Sequence, residues 1–452
     1  MSRRAEGRVR WYDARVPLRG DGLESAMTLP ARLIIADPGL LHAGGHHLSY
    51  SLAVAEAALE RQISAVILAN RAFSPPDSQD PIPFLPTFQS QYQAASQPSK
   101  LRGALYGFAS RLPSAVTPKV AQGLRAARRM TSRLVPTNDA MGAELAAALT
   151  DLGNTRNDLV LLHSVSSANL HGLPGTLGPD AIGGLAVVLR RTPEEMDRAD
   201  AAPQTVATVL ALLIAHFGRR LSLFADTAQL AAIYQVLLST AVATVPLPVM
   251  APPIRRGPIG TPPHLVFAGG ARPEKGYALL PALADRLRGR VRLTVHSGPI
   301  GAGTDPAVQQ AHRALRQMAG PALVLVERPL DPPEYLDLLA CTDLMLLPYR
   351  ADDYGPRSSG ILAEAHAMGV PAVVPRGTWM AEIADLSSGT VFDGAADFLP
   401  AVERTLQSLP TLTATLRAAA PAWRRKHCPD AVLSALLAPA PVGLAPAWAL
   451  PV

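Results

Sequence analysis

The sequence predicts an α/β protein with two doubly wound parallel sheets, one in each half of the chain. Short apolar runs that end at glycine, proline or polar residues alternate with longer stretches of helical period, which is typical of strands and helices in parallel sheets. Residues 246–263 contain seven prolines and separate the two halves. A chain of 452 residues is long enough for two or three domains.

The first half begins with a βαβ pattern. A buried run at 33–36 is followed by a Gly44-Gly45 turn, a helical stretch at 50–61 and a second strand at 65–69. The same alternation resumes later in this half. The elements predicted there are helices at 141–152, 203–216 and 228–238 and strands at 158–162, 185–189, 220–224 and 242–245.

The second half repeats the pattern and ends in helices. Its predicted elements are strands at 264–268, 291–296, 323–327, 344–347 and 372–374, and helices at 280–288, 307–318, 332–340, 360–368 and most of 399–437. The chain therefore divides into an N-terminal extension at 1–30, a first domain at 31–250, a proline-rich hinge at 251–262, a second domain at 263–395, C-terminal helices at 396–437 and a proline-rich tail at 438–452.

Composition excludes several classes of protein. With 48% hydrophobic and 17% charged residues, the chain has a globular rather than a disordered composition. Its two cysteines, Cys341 and Cys428, are too few for a disulfide framework and fit a reducing, cytoplasmic setting. The arginine-rich start has no apolar core after it, and the longest apolar windows are too short to span a bilayer, so we expect neither a secretory signal nor a membrane-spanning helix.

The net charge of +6 is concentrated in one segment of the first half. Residues 81–138 hold eight lysines and arginines and no acidic residue, and an apolar stripe with helical spacing runs through 101–112. One hypothesis is a basic insertion that contacts an anionic membrane surface. The alternative is a solvated helical insertion that packs on its own domain. Binding to nucleic acid is not expected, because no aromatic residues interleave with the arginines.

The strongest local motif lies at 354–371. Residues 360–368 form an amphipathic helical pattern that Ser358 or Ser359 would cap and Gly369 would end. The free backbone N–H groups at its start, near Gly360, would follow a strand, and they favour binding of a phosphate group. Glu364 lies one turn further along and would suit a hydroxyl-rich ligand. The alternative is a solvated glutamate on an ordinary helix.

A glycine turn after the first strand of the second half is the other motif. It reads Gly269-Gly270-Ala271-Arg272-Pro273-Glu274-Lys275-Gly276. Glycines allow a ligand to approach the backbone closely, and paired cations neutralise a diphosphate. The alternative is an ordinary basic turn between a strand and a helix.

These two motifs, in this order, resemble the nucleotide-sugar-binding domain of bacterial family 4 GT-B glycosyltransferases. The resemblance covers most of 263–390 and implies a GT-B fold, with two Rossmann-like domains facing a cleft. It also implies a retaining, metal-independent, hexosyltransferase-like enzyme with a nucleotide diphosphate sugar as donor and no cofactor. By this resemblance Arg272 and Lys275 contact the diphosphate and Glu364 binds the ribose hydroxyls. Gly270, Ser358, Ser359 and Gly360 complete the expected donor site.

The chain departs from the family pattern at two positions. Pro356 stands where the family has its first glutamate, so a contact to the donor sugar must come from elsewhere. The amides at 358–360 and the Asp352-Asp353 pair are the alternatives. In addition, Arg272 lies closer to Lys275 than is usual in the family.

The first half supplies the expected acceptor side. Gly44 and Gly45 resemble the family's glycine turn, with His47 nearby, and residues 158–162 resemble the strand that ends in a histidine at the reaction centre, here His163. We expect His163 to act with Arg272 and Lys275 in catalysis. The alternative is a histidine bonded to backbone at a strand end.

The predicted function is sugar transfer from a nucleotide sugar to a hydroxyl acceptor, in synthesis of a surface or lipid-linked glycan. The first domain would bind the acceptor and the second the donor. No sequence pattern indicates a metal site. Two alternatives have the same fold, because fold does not establish activity. They are a nucleotide-sugar epimerase and a non-catalytic nucleotide-sugar-binding protein.

Overall fold

The computed structural model describes residues 29–42, 46–75, 81–89, 140–153, 155–199, 204–250, 257–301, 303–387 and 390–438. These residues form two compact units. The N-terminal unit contains the described residues of 30–246 and 432–438, and the C-terminal unit contains Leu29 and the described residues of 247–431. Most of the last helix, residues 432–437, thus belongs to the N-terminal unit.

In the described part of the N-terminal unit, seven parallel strands form one sheet in the order β3-β2-β1-β4-β5-β6-β7. The strands are β1 (Arg32–Asp37), β2 (Ser64–Asn70), β3 (Phe84–Phe88), β4 (Asp158–Leu162), β5 (Gly184–Leu189), β6 (Leu221–Ala225) and β7 (Ala243–Thr244). The strand order reverses between β1 and β4. Ligands of doubly wound sheets bind at such a reversal, beside the carboxyl ends of the strands.

Helices cover both faces of this sheet. They are α1 (His46–Glu60), α2 (Ala140–Asp151), α3 (Ser167–His171), α4 (Leu173–Thr176), α5 (Pro193–Ala199), α6 (Val206–Phe217), α7 (Ala228–Leu238) and α15 (Pro429–Leu437). Ile34 and Ala36 of β1 join one buried cluster, while Leu33 and Ile35 join the cluster on the other face, which includes Val432 of α15. Burial on both faces explains why β1 is a continuous apolar run.

The described C-terminal unit has six parallel strands in the order β10-β9-β8-β11-β12-β13. They are β8 (His264–Ala268), β9 (Arg292–His296), β10 (Leu323–Val326), β11 (Leu344–Leu346), β12 (Ala372–Pro375) and β13 (Thr390–Phe392). The helices are α8 (Leu280–Arg286), α9 (Pro306–Met318), α10 (Pro332–Ala340), α11 (Ala351–Tyr354), α12 (Gly360–Ala367), α13 (Trp379–Ser387) and α14 (Gly394–Lys426). Here the order reverses between β8 and β11.

The predicted fold class is confirmed: two doubly wound parallel sheets, one in each half. Sequence patterning missed the edge strands β3 and β13 and several short helices. Pro86 argues against a strand in sequence, yet it is tolerated because β3 lies at the edge of the sheet. The predicted amphipathic stretch at 101–112 lies outside the described residues. Within the described ranges, no helix has the length and apolar character needed to cross a bilayer.

Candidate functional site

The glycine turn, the lysine and the first turn of α12 meet at the carboxyl end of β8. Gly269 has φ of +138°, and a Cβ placed there would lie 2.6 Å from Lys275 Nζ and 3.4 Å from Ile361 Cδ1. Only glycine fits, because it has no Cβ and tolerates a positive φ. The structure therefore brings together the two motifs that are far apart in sequence.

Lys275 is a partly buried ammonium group beside the strand reversal. Its Nζ lies 5.3 Å from the centroid of the Tyr349 ring, and Tyr349 follows β11. Burial, with a smaller contribution from the positive charge of Arg272, lowers the pKa of Lys275 to about 8, and Glu274 opposes the shift. Loss of hydration disfavours the charged ammonium, so an anionic ligand would stabilise it.

Arg272 stands at the rim of this turn. Its side chain is 53% exposed and its Nε lies 3.0 Å from Glu274 Oε1. An exposed ion pair of this kind contributes little to stability. Arg272 can therefore exchange Glu274 for a phosphate group at small energetic cost.

Helix α12 begins at the predicted residue, Gly360, and ends at Ala367, one residue before the predicted end. Ser359 is its N-cap, and the Ser359 hydroxyl oxygen accepts a hydrogen bond from the Leu362 N–H at 3.3 Å. Ser358 and Ser359 precede the first helical residue, Gly360, and Gly369 follows the helix with φ of +69°. The expected donor-site amides thus lie at the N-terminus of α12.

Glu364 is partly buried one turn into α12. The Tyr335 hydroxyl, from α10, donates a hydrogen bond to Glu364 Oε2 at 2.6 Å. Burial raises the pKa of Glu364 to about 7, although the hydrogen bond from Tyr335 lowers it. Glu364 is therefore poised between its neutral and charged forms near neutral pH.

The residues near Pro356 form a short connection before α12. Asp352 and Asp353 lie on the one-turn helix α11, and Asp353 Oδ2 is 3.1 Å from Arg350 Nε. Arg357 follows Pro356, and its Cζ lies 4.9 Å from the centroid of the Tyr354 ring. Among the residues described, no group of three or more histidine, cysteine, aspartate or glutamate side chains could hold a metal ion.

The N-terminal unit places a buried carboxylate at its own strand reversal. Asp37 ends β1 and is fully buried. It accepts hydrogen bonds from the Gly39 N–H at 2.9 Å and from His47 Nδ1 at 2.9 Å, and His163 Nε2 lies 3.2 Å away. Burial raises the pKa of Asp37, but the charges and hydrogen bonds of the two imidazoles outweigh it and hold the pKa below its usual value.

His163 lies directly after β4 and is completely buried. Both of its ring nitrogens have partners: Ser51 Oγ at 2.9 Å and Asp37 on the Nε2 side, and Ser164 Oγ at 3.1 Å from Nδ1. Burial lowers the pKa of His163 against the opposing effect of Asp37. A ligand can reach His163 only by displacing one of these partners.

His47, near the start of α1, is the more accessible imidazole, with 17% of its side chain exposed. An ionised carboxylate can only accept a hydrogen bond, so His47 donates to Asp37 from Nδ1. The Gly44 and Gly45 positions lie outside the described residues.

Sequence reasoning missed two residues of these clusters. Asp37 carried a usable signal, because a polar residue that ends a buried strand lies at the ligand-binding edge of the sheet. Tyr335 carried none, since nothing in the pattern of α10 indicates that it contacts Glu364.

A scan against protein-family models and a search of curated proteins gave no match. Solved structures share the fold over most of the chain. The N-terminal domain of trehalose-6-phosphate phosphatase from Candida albicans is 12% identical with a TM-score of 0.58, covering 93% of this chain and 99% of that one. Sucrose-phosphate synthase from Thermosynechococcus elongatus is 14% identical with a TM-score of 0.57, covering 89% of this chain and 96% of that one.

HepE from Anabaena, in complex with UDP and glucose, is 13% identical with a TM-score of 0.55, covering 89% of this chain and 97% of that one. At such identities the likeness concerns the fold. With its two parallel sheets of seven and six strands, this chain has the GT-B fold of two Rossmann-like domains.

Two glycines of the same turn give a matched test of its geometry. Gly276 has φ of +67°, and a Cβ there would lie 1.8 Å from the Pro348 carbonyl oxygen, whereas a Cβ at Gly270 has no neighbour closer than 3.7 Å. We expect Gly276→Ala to lower the free energy of unfolding by at least ~2 kcal/mol. Gly270→Ala should leave it within ~0.5 kcal/mol of wild type. Urea unfolding followed by tryptophan fluorescence checks both values, and equal stability of the two variants would contradict the geometry of the turn.

Proposed function

We propose that this protein is a glycosyltransferase that moves a sugar from a nucleotide diphosphate sugar to a hydroxyl acceptor, with retention at the anomeric carbon. The observation that carries the proposal is the placement of Lys275 and of the start of α12, with Glu364 one turn in, at one strand reversal. An ammonium group suits a diphosphate, and a carboxylate suits the ribose hydroxyls. The GT-B fold, and neighbours of that fold solved with UDP and glucose, support the same donor class.

The donor site would act mainly on the leaving group. Lys275, Arg272 and the amides at the start of α12 would stabilise the negative charge that develops on the diphosphate as the bond to the sugar breaks. These groups are in place before the reaction, so little reorganisation is needed. No side chain acts as a covalent nucleophile in this scheme.

The N-terminal unit would bind the acceptor. His47, oriented by Asp37, would accept a hydrogen bond from the acceptor hydroxyl, and His163 would hold Asp37 and thereby position His47. This assigns His163 a positioning role, because it is buried and both of its nitrogens have partners.

Lys275→Ala and Glu364→Ala should each weaken donor binding or turnover by tenfold or more, which corresponds to the loss of one charge-assisted contact of ~1.4 kcal/mol or above. Lys426→Ala and Glu382→Ala are controls, because both side chains are exposed and belong to neither motif. The measurement is release of nucleoside diphosphate across a panel of donors with cell-derived acceptors. Unchanged kinetics in both site variants would contradict the site.

The same assay separates the alternatives. Conversion of the donor to its epimer without an acceptor would indicate an epimerase. Donor binding without release under any acceptor would indicate a non-catalytic binding protein. The anomeric configuration of the product, read by NMR, tests retention.

Donor affinity should depend on pH with an optimum between about 7 and 8. A carboxylate binds ribose hydroxyls better than a carboxylic acid does, so affinity rises as pH increases through about 7, the pKa of Glu364. An ammonium binds diphosphate better than an amine does, so affinity falls as pH rises above about 8, the pKa of Lys275. Calorimetric titration with a uridine diphosphate sugar measures both limbs.

Two variants assign the limbs to residues. Glu364→Gln should remove the rise in donor affinity near pH 7. Lys275→Arg should remove the fall in donor affinity above pH 8, since arginine stays charged. A dissociation constant that is flat from pH 6 to 9 would contradict this account. So would an alkaline limb that persists in Lys275→Arg.

The acceptor class is a surface or lipid-linked glycan, assembled in the cytoplasm beside an anionic membrane. This part of the proposal rests on the basic segment at 81–138. Replacement of Arg125, Arg128 and Arg129 by glutamate should release the protein from anionic vesicles at low salt in a sedimentation assay. Wild-type protein that never sediments with such vesicles would contradict the membrane contact.

A further inference from the structure

Two buried hydrogen-bond donors lie beside the Asp37 and His163 pair. The hydroxyl oxygen of Tyr50 and the Nη1 atom of Arg190 are both buried, and neither has a hydrogen-bond partner among the residues that the structure describes. Buried polar groups in native proteins are nearly always paired, so two neighbouring exceptions require an explanation.

The two donors belong to one packed cluster. The Tyr50 ring, from α1, stacks on the His163 ring with centroids 4.3 Å apart and an interplanar angle of 16°. The Arg190 Cζ atom lies 5.4 Å from the centroid of the same Tyr50 ring. Arg190 Nε is in turn 3.3 Å from Asp226 Oδ2.

This cluster lies at the ligand-binding edge of the sheet. His163 directly follows β4, Arg190 directly follows β5 and Asp226 directly follows β6. The side chain of Arg190 is 20% exposed, so solvent reaches part of it. The cluster therefore lies at the edge of the sheet where doubly wound folds bind their substrates. It is also close to His47, which is proposed to contact the acceptor hydroxyl.

A purely structural role does not account for the Tyr50 hydroxyl. Phenylalanine would make the same stack on His163 and present the same ring to Arg190 without burying an unpaired hydroxyl. Burial raises the pKa of Tyr50, and the charge of Arg190 only partly offsets this, so the phenol stays protonated and can donate. The Tyr50 hydroxyl and Arg190 Nη1 can thus both donate a hydrogen bond to an oxygen atom of a ligand.

The charges of the cluster select among oxygen ligands. Arg190 is balanced by Asp226, and the Asp37 carboxylate adds a further negative charge behind His163. A phosphate or carboxylate group would therefore meet two carboxylates and only one arginine. An uncharged hydroxyl or ring oxygen meets no such repulsion.

We propose that Tyr50 and Arg190 form a binding subsite for an uncharged carbohydrate acceptor, with both donating hydrogen bonds to one of its hydroxyl or ring oxygens. The subsite rests on the proposed transferase function and specifies the acceptor class. It also explains why a tyrosine, rather than a phenylalanine, stacks on His163.

Tyr50→Phe tests the subsite with the smallest possible change. We expect KM for a neutral saccharide acceptor to rise roughly fivefold to tenfold, the effect of one lost hydrogen bond. Donor affinity and slow hydrolysis of the donor should stay at wild-type levels, and the melting temperature should be unchanged or higher because an unpaired hydroxyl is removed. Arg190→Lys, which keeps the charge beside Asp226, should also raise KM.

Tyr234→Phe is the matched control. Its buried hydroxyl donates to the Arg191 carbonyl oxygen at 2.8 Å, so its removal should lower the melting temperature and leave the acceptor KM unchanged. An unchanged acceptor KM in Tyr50→Phe would overturn the subsite. A lowered melting temperature in Tyr50→Phe would show that its hydroxyl has a structural partner, and would overturn it as well.

Direct binding separates this inference from the proposed function. Saturation-transfer NMR with maltose, methyl α-glucoside, glucose 6-phosphate and glucuronate requires no turnover. Neutral sugars should bind wild type and lose signal in Tyr50→Phe, whether or not any donor is consumed. Tighter binding of the phosphate or the uronate, or no binding of neutral sugars at all, would overturn the subsite. Absence of nucleoside diphosphate release would count against the transferase alone.

Discussion

Burial of ionisable side chains at the carboxyl ends of parallel strands is the constraint on which both clusters depend. Removing a charge from water is unfavourable unless a partner replaces the lost hydration. In the N-terminal unit the protein itself supplies that replacement, because Asp37 accepts hydrogen bonds from a backbone amide and from imidazoles. In the C-terminal unit Lys275 has an aromatic ring nearby and a lowered pKa instead.

This contrast assigns different chemistry to the two units. A carboxylate that the protein fully solvates is a fixed element, and it can orient an imidazole without changing its own charge. Burial disfavours the charged forms of Lys275 and Glu364. A bound ligand can stabilise these charged forms. In the proposed function, a diphosphate would add negative charge beside Lys275, and ribose hydroxyls would add hydrogen-bond donors to Glu364 besides that of Tyr335.

Much of the fold could be predicted from local pattern. The strands at 158–162 and 264–268 and the helices at 228–238 and 332–340 occur with the bounds that the sequence predicts. Each is an apolar run or helical period closed by clear stop signals. The edge strand β3 was missed because it is short and contains Pro86, and only pairing with β2 makes it a strand. That pairing is tertiary information that a local pattern does not carry.

The positions of the candidate site residues in the fold were predictable to a similar extent. Lys275 and the start of α12 follow from turn and capping patterns that lie within a few residues. The contact of Tyr335 with Glu364 and the ring of partners around His163 depend on packing between elements that are distant in sequence. The sequence favoured His163 over His47 because it does not show which imidazole is buried. In the structure His163 is buried and His47 is the more accessible of the two.

The most direct test of the central claim is a crystal structure of the protein with a uridine diphosphate sugar. We expect diphosphate oxygens within hydrogen-bond distance of Lys275 Nζ and of the amides at the start of α12, with a ribose hydroxyl on the Glu364 carboxylate. A nucleotide bound elsewhere, with Lys275 and Glu364 both out of contact with it, would contradict the proposed donor site.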